Sequence, residues 1–125
     1  MEYLKTPTEE EEQIMLFNWA RLKEHEHPCL RSMFHIPNGG KRKKSEAARF
    51  KAAGVKAGVP DIFLPHPQGR WHGLFIELKR REHGRVSTNQ TEFLSDLARE
   101  GFSVFVCYGW EQAAETIVEY LEGKI

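Results

Sequence analysis

The chain has 125 residues, of which 29% are charged and 40% are apolar, and its formal net charge at pH 7 is zero. This composition is typical of a soluble globular protein, and the length suits a single core, so we expect one domain over residues 1–125. No apolar run approaches the roughly 20 residues of a membrane span, and the acidic N-terminal stretch lacks the apolar region of a secretory signal. We therefore expect a cytoplasmic protein with reduced cysteines and no membrane partner.

The zero net charge hides an uneven distribution along the chain. Residues 1–27 contain seven acids and three bases, whereas residues 31–60 contain eight bases and one acid. Residues 79–85 add four bases and one acid. Basic stretches are often only a solvated surface, but they also attract a polyanion, through an interaction that weakens with salt.

The first predicted helix covers residues 8 to about 24. Thr8 and Glu11 have the spacing of a capping box, and four consecutive glutamates suit the positive end of the helix dipole. The apolar stripe expected to face the core consists of Ile14, Leu16, Phe17, Trp19 and Ala20.

Residues 31–36 are predicted to form a strand, and residues 37–44 a loop rich in glycine and cations. Its adjacent glycines allow a close approach of the backbone to a ligand, and its cations suit phosphates, although a solvated turn is the plainer interpretation. The candidate phosphate contacts of this loop are Asn38, Gly39, Gly40, Lys41, Arg42, Lys43 and Lys44.

A short helix is predicted for residues 45–53, with Ser45 as N-cap and Gly54 just beyond its C-terminus. Lys56 extends the basic surface. Gly54 and Gly58 have ordinary explanations as helix-end and turn residues, and we also expect both to leave room for a polyanion beside Asp61.

Residues 58–79 predict a β-hairpin, because two short apolar runs are separated by a turn rich in proline, glycine and histidine. A turn centred on Gly69 pairs Leu64 with Leu74 and Asp61 with Glu77. Since side chains alternate along a strand, Asp61, Glu77 and Lys79 are expected on one face.

Two neighbouring carboxylates on an apolar hairpin repel each other unless a cation lies between them. Mg²⁺ and Mn²⁺ prefer oxygen ligands and readily share a phosphate, and a lysine beside such an ion can position or activate a water molecule. This combination suits the hydrolysis of a phosphodiester.

After the hairpin the pattern predicts a helix over residues 87–100, a strand over 102–108 and a helix over 110–121. Ser87 and Gln90 form a second capping box pattern. The strand is apolar enough for a position inside the sheet, and because it follows a helix it can return parallel to the second hairpin strand.

Pro60-Asp61 followed by Glu77-Leu78-Lys79 resembles the PD-(D/E)xK nuclease signature. The wider context is similar to the VRR-NUC branch of that superfamily, and the resemblance extends from about residue 9 to residue 121. The segments that carry it are residues 37–40, 54–61 and 76–80, together with Ser87 and Gln90.

The resemblance implies a small mixed β-sheet flanked by helices, a restriction-endonuclease-like α/β fold with the order α-β-α-β-β-α-β-α. It implies that Asp61, Glu77 and the backbone carbonyl of Leu78 hold Mg²⁺ or Mn²⁺. Gln90 and an acidic residue of the first helix would assist catalysis. Glu9 is the best match for that residue, with Glu10 as a competitor.

DNA is the expected partner, contacted by the basic loop, Lys56 and Arg80, with no small-molecule cofactor. Free-standing members of the family are similar to four-way-junction resolvases, so we expect a homodimer acting on branched DNA in repair, recombination or replication. A bacterial or phage-infected cell fits such a protein. The alternatives are a non-catalytic DNA-binding module and a sequence-specific restriction-type endonuclease.

Overall fold

Four helices and four strands form the fold of the computed structural model, which describes residues 5–37 and 43–125. This mixed α/β architecture confirms the predicted fold class and element order. The helices are α1 Glu9–Lys23, α2 Lys44–Ala52, α3 Thr88–Arg99 and α4 Trp110–Leu121, and the strands are β1 Phe34–His35, β2 Ile62–Leu64, β3 Leu74–Lys79 and β4 Ser103–Tyr108. No helix in these two ranges has the length and apolar content to cross a membrane.

The sheet has the order β1-β2-β3-β4, with antiparallel pairing between the first three strands and parallel pairing between β3 and β4. Leu64 pairs with Leu74 and Ile62 with Ile76, which is the predicted hairpin register. The parallel return of β4 is also confirmed. Its predicted position inside the sheet is wrong, because β4 lies at the edge; its apolar content reflects helices packed against it.

One face of the sheet is the main core. The strand residues that point to it are almost fully buried beneath α1 and α4, whose own buried residues include Leu16, Ala113 and Ile117. The sheet residues of this face are Ile62, Leu64, Leu74, Ile76, Leu78 and Cys107. The opposite face carries Asp61, Glu77 and Lys79, so the alternation along β3 separates core residues from candidate site residues.

Three local predictions differ from the structure. The strand predicted for residues 31–36 is only Phe34–His35, because the preceding Pro28–Ser32 forms a 3₁₀ helix, whose first turn accepts a proline. Ser45 is not an N-cap, since α2 begins at Lys44 and no side chain caps it. Ile14 is 54% exposed rather than part of the core stripe, and Glu12 is buried in its place.

The two predicted capping boxes are confirmed. Thr8 Oγ1 accepts a hydrogen bond from the backbone N–H of Glu11, and the Glu11 side chain accepts one from Thr8. Ser87 and Gln90 make the same reciprocal pair at the start of α3. Both helices that approach the candidate site therefore have a fixed first turn.

Gly58 joins the segment before β2 to the start of α3. It has φ of +90°, and a Cβ at this position would lie 2.4 Å from the backbone oxygen of Asn89. The expected room for a polyanion is thus filled by the chain itself. This close approach seats the segment that leads to Asp61 against the helix turn that carries Gln90.

The substitution Gly58→Ala is expected to destabilise the protein more than Gly54→Ala. Gly54 also has a positive φ, of +104°, but nothing lies within 4 Å of a Cβ built there. We expect a loss of about 1 kcal/mol for Gly54→Ala from backbone strain alone, and of at least about 2 kcal/mol for Gly58→Ala. Urea unfolding monitored by circular dichroism checks this, and equal losses would contradict the close approach.

Candidate active site

The hairpin brings Asp61 and Glu77 together at the end of β2. Asp61 directly precedes β2, and the strand register places it opposite Glu77. Their carboxyl groups are close enough to interact, and Asp61 Oδ2 also accepts a hydrogen bond of 2.8 Å from the backbone N–H of Leu78. The two carboxyl groups therefore face the same side of the sheet.

Glu77 is a buried carboxyl group, only 2% exposed. Burial, followed by the hydrogen bond and the charge of Asp61, raises the pKa of Glu77 to about 9, and Lys79 opposes this rise. Its Oε2 atom is buried and has no hydrogen-bond partner in the described part of the chain. A carboxyl group in this setting holds a proton at neutral pH, or it needs a cation to lose that proton.

Lys79 lies between two glutamates. Its Nζ is 3.8 Å from Oε1 of Glu77 and 3.9 Å from Oε1 of Glu9, and the residue is 7% exposed. Glu9 is the first residue of α1, and the structure brings its carboxylate to Lys79, although both Glu9 and Glu10 are exposed. The ammonium group is thus held beside the carboxyl pair.

Gln90 connects the start of α3 to the carboxyl pair. Its Oε1 accepts a hydrogen bond of 2.8 Å from the backbone N–H of Ser87, while its Nε2 donates one of 3.1 Å to Oε1 of Glu77. The same amide therefore caps the helix and orients Glu77, so the structural and functional interpretations of Gln90 are compatible.

The oxygen atoms around Asp61 and Glu77 suit a hard divalent cation. Hydrogen bonds from Ser103 to Gly73 and from Gly109 to Lys79 direct every second carbonyl of β3 toward β4. The carbonyl of Leu78 therefore points to the opposite edge, where its N–H meets Asp61. No cluster of three or more His, Cys, Asp or Glu side chains arranged for a metal occurs within residues 5–37 and 43–125. Two carboxylates are enough for Mg²⁺, which keeps several water ligands, and the unpaired Glu77 oxygen fits such an ion.

The predicted DNA contacts lie partly outside the described residues. This applies to Asn38, Gly39, Gly40, Lys41 and Arg42. Lys43, Lys44 and Lys56 are exposed, and the first two begin α2, a helix with no buried residue. Arg80 is half-buried, and its Nε is buried without a hydrogen-bond partner among the residues described.

A buried charge network next to the site was missed by the sequence analysis. Glu12 is completely buried and accepts hydrogen bonds from Arg81 Nε at 2.8 Å, from Arg81 Nη2 at 2.9 Å and from the backbone N–H of Trp110 at 3.2 Å. Arg81 also bonds Glu111, and these contacts, that with Glu12 first, raise the pKa of Arg81. The network joins α1, the segment after Lys79 and the start of α4.

The sequence did contain a signal for this network. Glu12 lies four residues before Leu16 and eight before Ala20, which are both buried, so it belongs to the same helix stripe. A carboxylate on an apolar stripe needs a cationic partner, because a buried charge is otherwise costly. Which of the nearby bases supplies that cation is decided by the tertiary fold.

Arg81→Ala is expected to destabilise the protein by about 3 kcal/mol, because it leaves the Glu12 carboxylate buried without its cation. The matched control Arg99→Ala removes an exposed partner of Asp96 and should change stability by less than about 0.5 kcal/mol. Adding Glu12→Gln to Arg81→Ala should recover part of the loss. Denaturant unfolding measures all three, and similar losses for Arg81→Ala and Arg99→Ala would contradict the role of the network.

The comparisons with known proteins concern the family and the fold. The family model for the VRR-NUC domain matches residues 6–111. A solved structure described as a VRR_NUC domain protein is 33% identical, covers 96% of this chain and 93% of its own, and superposes with a TM-score of 0.84. No curated protein matches the chain. A match over most of the chain, together with the shared fold, shows that this chain belongs to the VRR-NUC family of nuclease-type domains.

Proposed function

We propose that this chain is a metal-dependent endonuclease that hydrolyses phosphodiester bonds of branched DNA. The observation that carries the proposal is the carboxyl pair of Asp61 and Glu77 with Lys79 beside it, on one face of the sheet. Among the residues that the structure describes, no donor reaches one buried oxygen of Glu77, which is an arrangement that a bound cation would satisfy. Membership of a nuclease-type family supports the same reaction class.

In this proposal Asp61, Glu77 and the carbonyl of Leu78 hold Mg²⁺ or Mn²⁺. When bound, such an ion would lower the pKa of a water molecule and polarise the phosphate. The Lys79 ammonium positions the attacking water and stabilises the negative charge that develops on the pentacovalent phosphate. Its contact with Glu9 keeps the ammonium in place.

Gln90 and the basic residues have supporting roles in the proposed reaction. Gln90 fixes the orientation of Glu77 through its amide hydrogen bond. Lys43, Lys44 and Lys56 offer exposed cations to the DNA backbone, and Arg80 follows the catalytic lysine directly. These contacts would be made with phosphates, so they position the strand without reading its sequence.

Removing the side chain of Glu77 or Lys79 is expected to lower cleavage by at least about 100-fold, because Glu77 would hold the metal and Lys79 would stabilise the charge that develops on the phosphate. DNA binding should remain, since the exposed cations are unchanged. Plasmid, flap and four-way-junction substrates, each incubated with Mg²⁺, Mn²⁺ or EDTA, test this for Glu77→Ala and Lys79→Ala on one gel.

Lys124→Ala is the matched control for Lys79→Ala, because it removes an equal positive charge. Lys124 pairs with Glu122 near the end of the chain. Robust cleavage by either site variant in a clean preparation would rule out the proposed reaction. Binding of every substrate without any metal-dependent cleavage by the unaltered protein would identify a DNA-binding module instead.

We also propose a homodimer, because resolving a four-way junction requires two symmetric cuts and one chain carries one candidate site. The expected mass in solution, without DNA and at micromolar concentration, is twice the 14.5 kDa of one chain. Sedimentation or light scattering measures it. A mass of one chain across that concentration range would contradict the dimer.

A further inference from the structure

A cluster of aromatic rings lies on the same face of the sheet as the carboxyl pair. Phe34 pairs with Phe63 across β1 and β2, and Phe63 pairs with Phe75 across β2 and β3, so the three rings form a row across the sheet. Phe63 and Phe75 are stacked with centroids 4.2 Å apart, and Phe34 meets Phe63 edge-on at 5.8 Å. Phe102 packs edge-on against Phe63 and Phe75.

The aromatic row, formed by Phe34, Phe63 and Phe75, lies next to the candidate site along the strands. Phe63 is two residues from Asp61 and Phe75 is two residues from Glu77, and residues at that spacing share a face about 7 Å apart. One nucleotide of an extended single strand can cover that distance. A strand with one phosphate at the carboxyl pair could therefore place an adjacent base over the rings.

The outermost ring of the row is accessible. Phe34 is 48% exposed, whereas Phe63 and Phe75 are mostly buried behind it. The Phe63 ring packs closely against Gly73. A Cβ on that glycine would lie 2.9 Å from the ring, so the position needs a glycine. The inner rings thus form a firm base for the exposed one.

The sequence around Phe34 is basic, which suits an anionic strand. From residue 28 to residue 45 the chain contains no carboxylate side chain. The bases of this segment are Arg31, Lys41, Arg42, Lys43 and Lys44. An exposed aromatic ring in a basic segment of the chain is a combination found in proteins that bind single-stranded nucleic acid, where bases stack on side chains and cations contact the backbone.

We propose that Phe34, supported by Phe63, stacks with an unpaired base next to the scissile phosphate. The enzyme would then prefer DNA that has unpaired nucleotides at the cleavage point, because bases within a duplex already stack on each other. This inference rests on the proposed nuclease function, since it takes the carboxyl pair as the position of the phosphate.

The test measures binding of a single-stranded oligonucleotide that carries one 2-aminopurine, a fluorescent base whose emission falls when it stacks. Titrations in EDTA keep the DNA intact. Phe34→Leu keeps an apolar side chain but lacks an aromatic face, and it should weaken binding of the oligonucleotide about fivefold or more and remove the quenching. Phe34→Trp should retain both, and the loss for a fully paired duplex of the same sequence should be smaller.

Leu22→Ala is the control, because Leu22 is 73% exposed on α1 and lies outside the aromatic row. Equal binding by the Leu and Trp variants, or equal losses for single-stranded and paired DNA, would overturn the proposal. A change in the mass of the protein without a change in single-strand affinity would show that a second copy covers Phe34. Cleavage of DNA by the unaltered protein is assayed separately, so a failure of the nuclease proposal is recognised independently of base stacking.

Discussion

The electrostatic cost of two adjacent carboxyl groups in a largely buried sheet is the constraint on which the rest of this structure depends. Asp61, which directly precedes β2, lies opposite Glu77 on β3, and Glu77 is almost completely buried. Nearby groups offset part of the cost, namely the N–H of Leu78, the amide of Gln90 and the ammonium of Lys79. Among residues 5–37 and 43–125 they leave one Glu77 oxygen without a hydrogen-bond donor, and burial together with Asp61 raises the pKa of Glu77.

Because side chains alternate along β3, this one strand contributes both to the core and to the candidate site. One face of β3 completes the core beneath α1 and α4 with Leu74, Ile76 and Leu78. The other face carries Glu77 and Lys79 of the candidate site. The core therefore fixes the site from behind, because a strand whose one face is buried cannot slip by one residue without exposing that face. The buried network around Glu12 fastens α1 to the segment that follows the strand.

Local signals were sufficient to predict much of the fold. The hairpin register followed from the position of the turn, and both capping boxes followed from residues three apart. The proximity of Asp61, Glu77, Lys79 and Gln90 followed from the register and the family resemblance, whereas their roles stay predictions. Glu9 and Glu10 could not be separated by sequence, because one residue of helical rotation decides which of them reaches Lys79.

Other features depend on contacts that no local pattern contains. Arg81, the partner of Glu12, is 69 residues away in sequence. The buried stripe of α1 was therefore predicted to contain Ile14 rather than Glu12. The strand before the basic loop is short because a 3₁₀ helix that begins with a proline precedes it. Strand β4 lies at the edge because β3 is its one neighbour in the four-stranded sheet of the described residues. The position of Glu12 and the edge position of β4 depend on the packing of distant segments, whereas the 3₁₀ helix begins at Pro28, a local signal that the strand prediction did not use.

The double use of the Gln90 amide couples two equilibria that are usually separate. Helix ends fray readily, and the first turn of α3 is held by the same side chain that orients Glu77. Each time that turn opens, the carboxyl group loses its donor and the site is momentarily disassembled. In the proposed reaction, the fraction of time for which the site is ready to react would therefore be bounded by the local stability of this helical turn, and a substitution of Ser87 would lower that fraction without altering Asp61, Glu77 or Lys79.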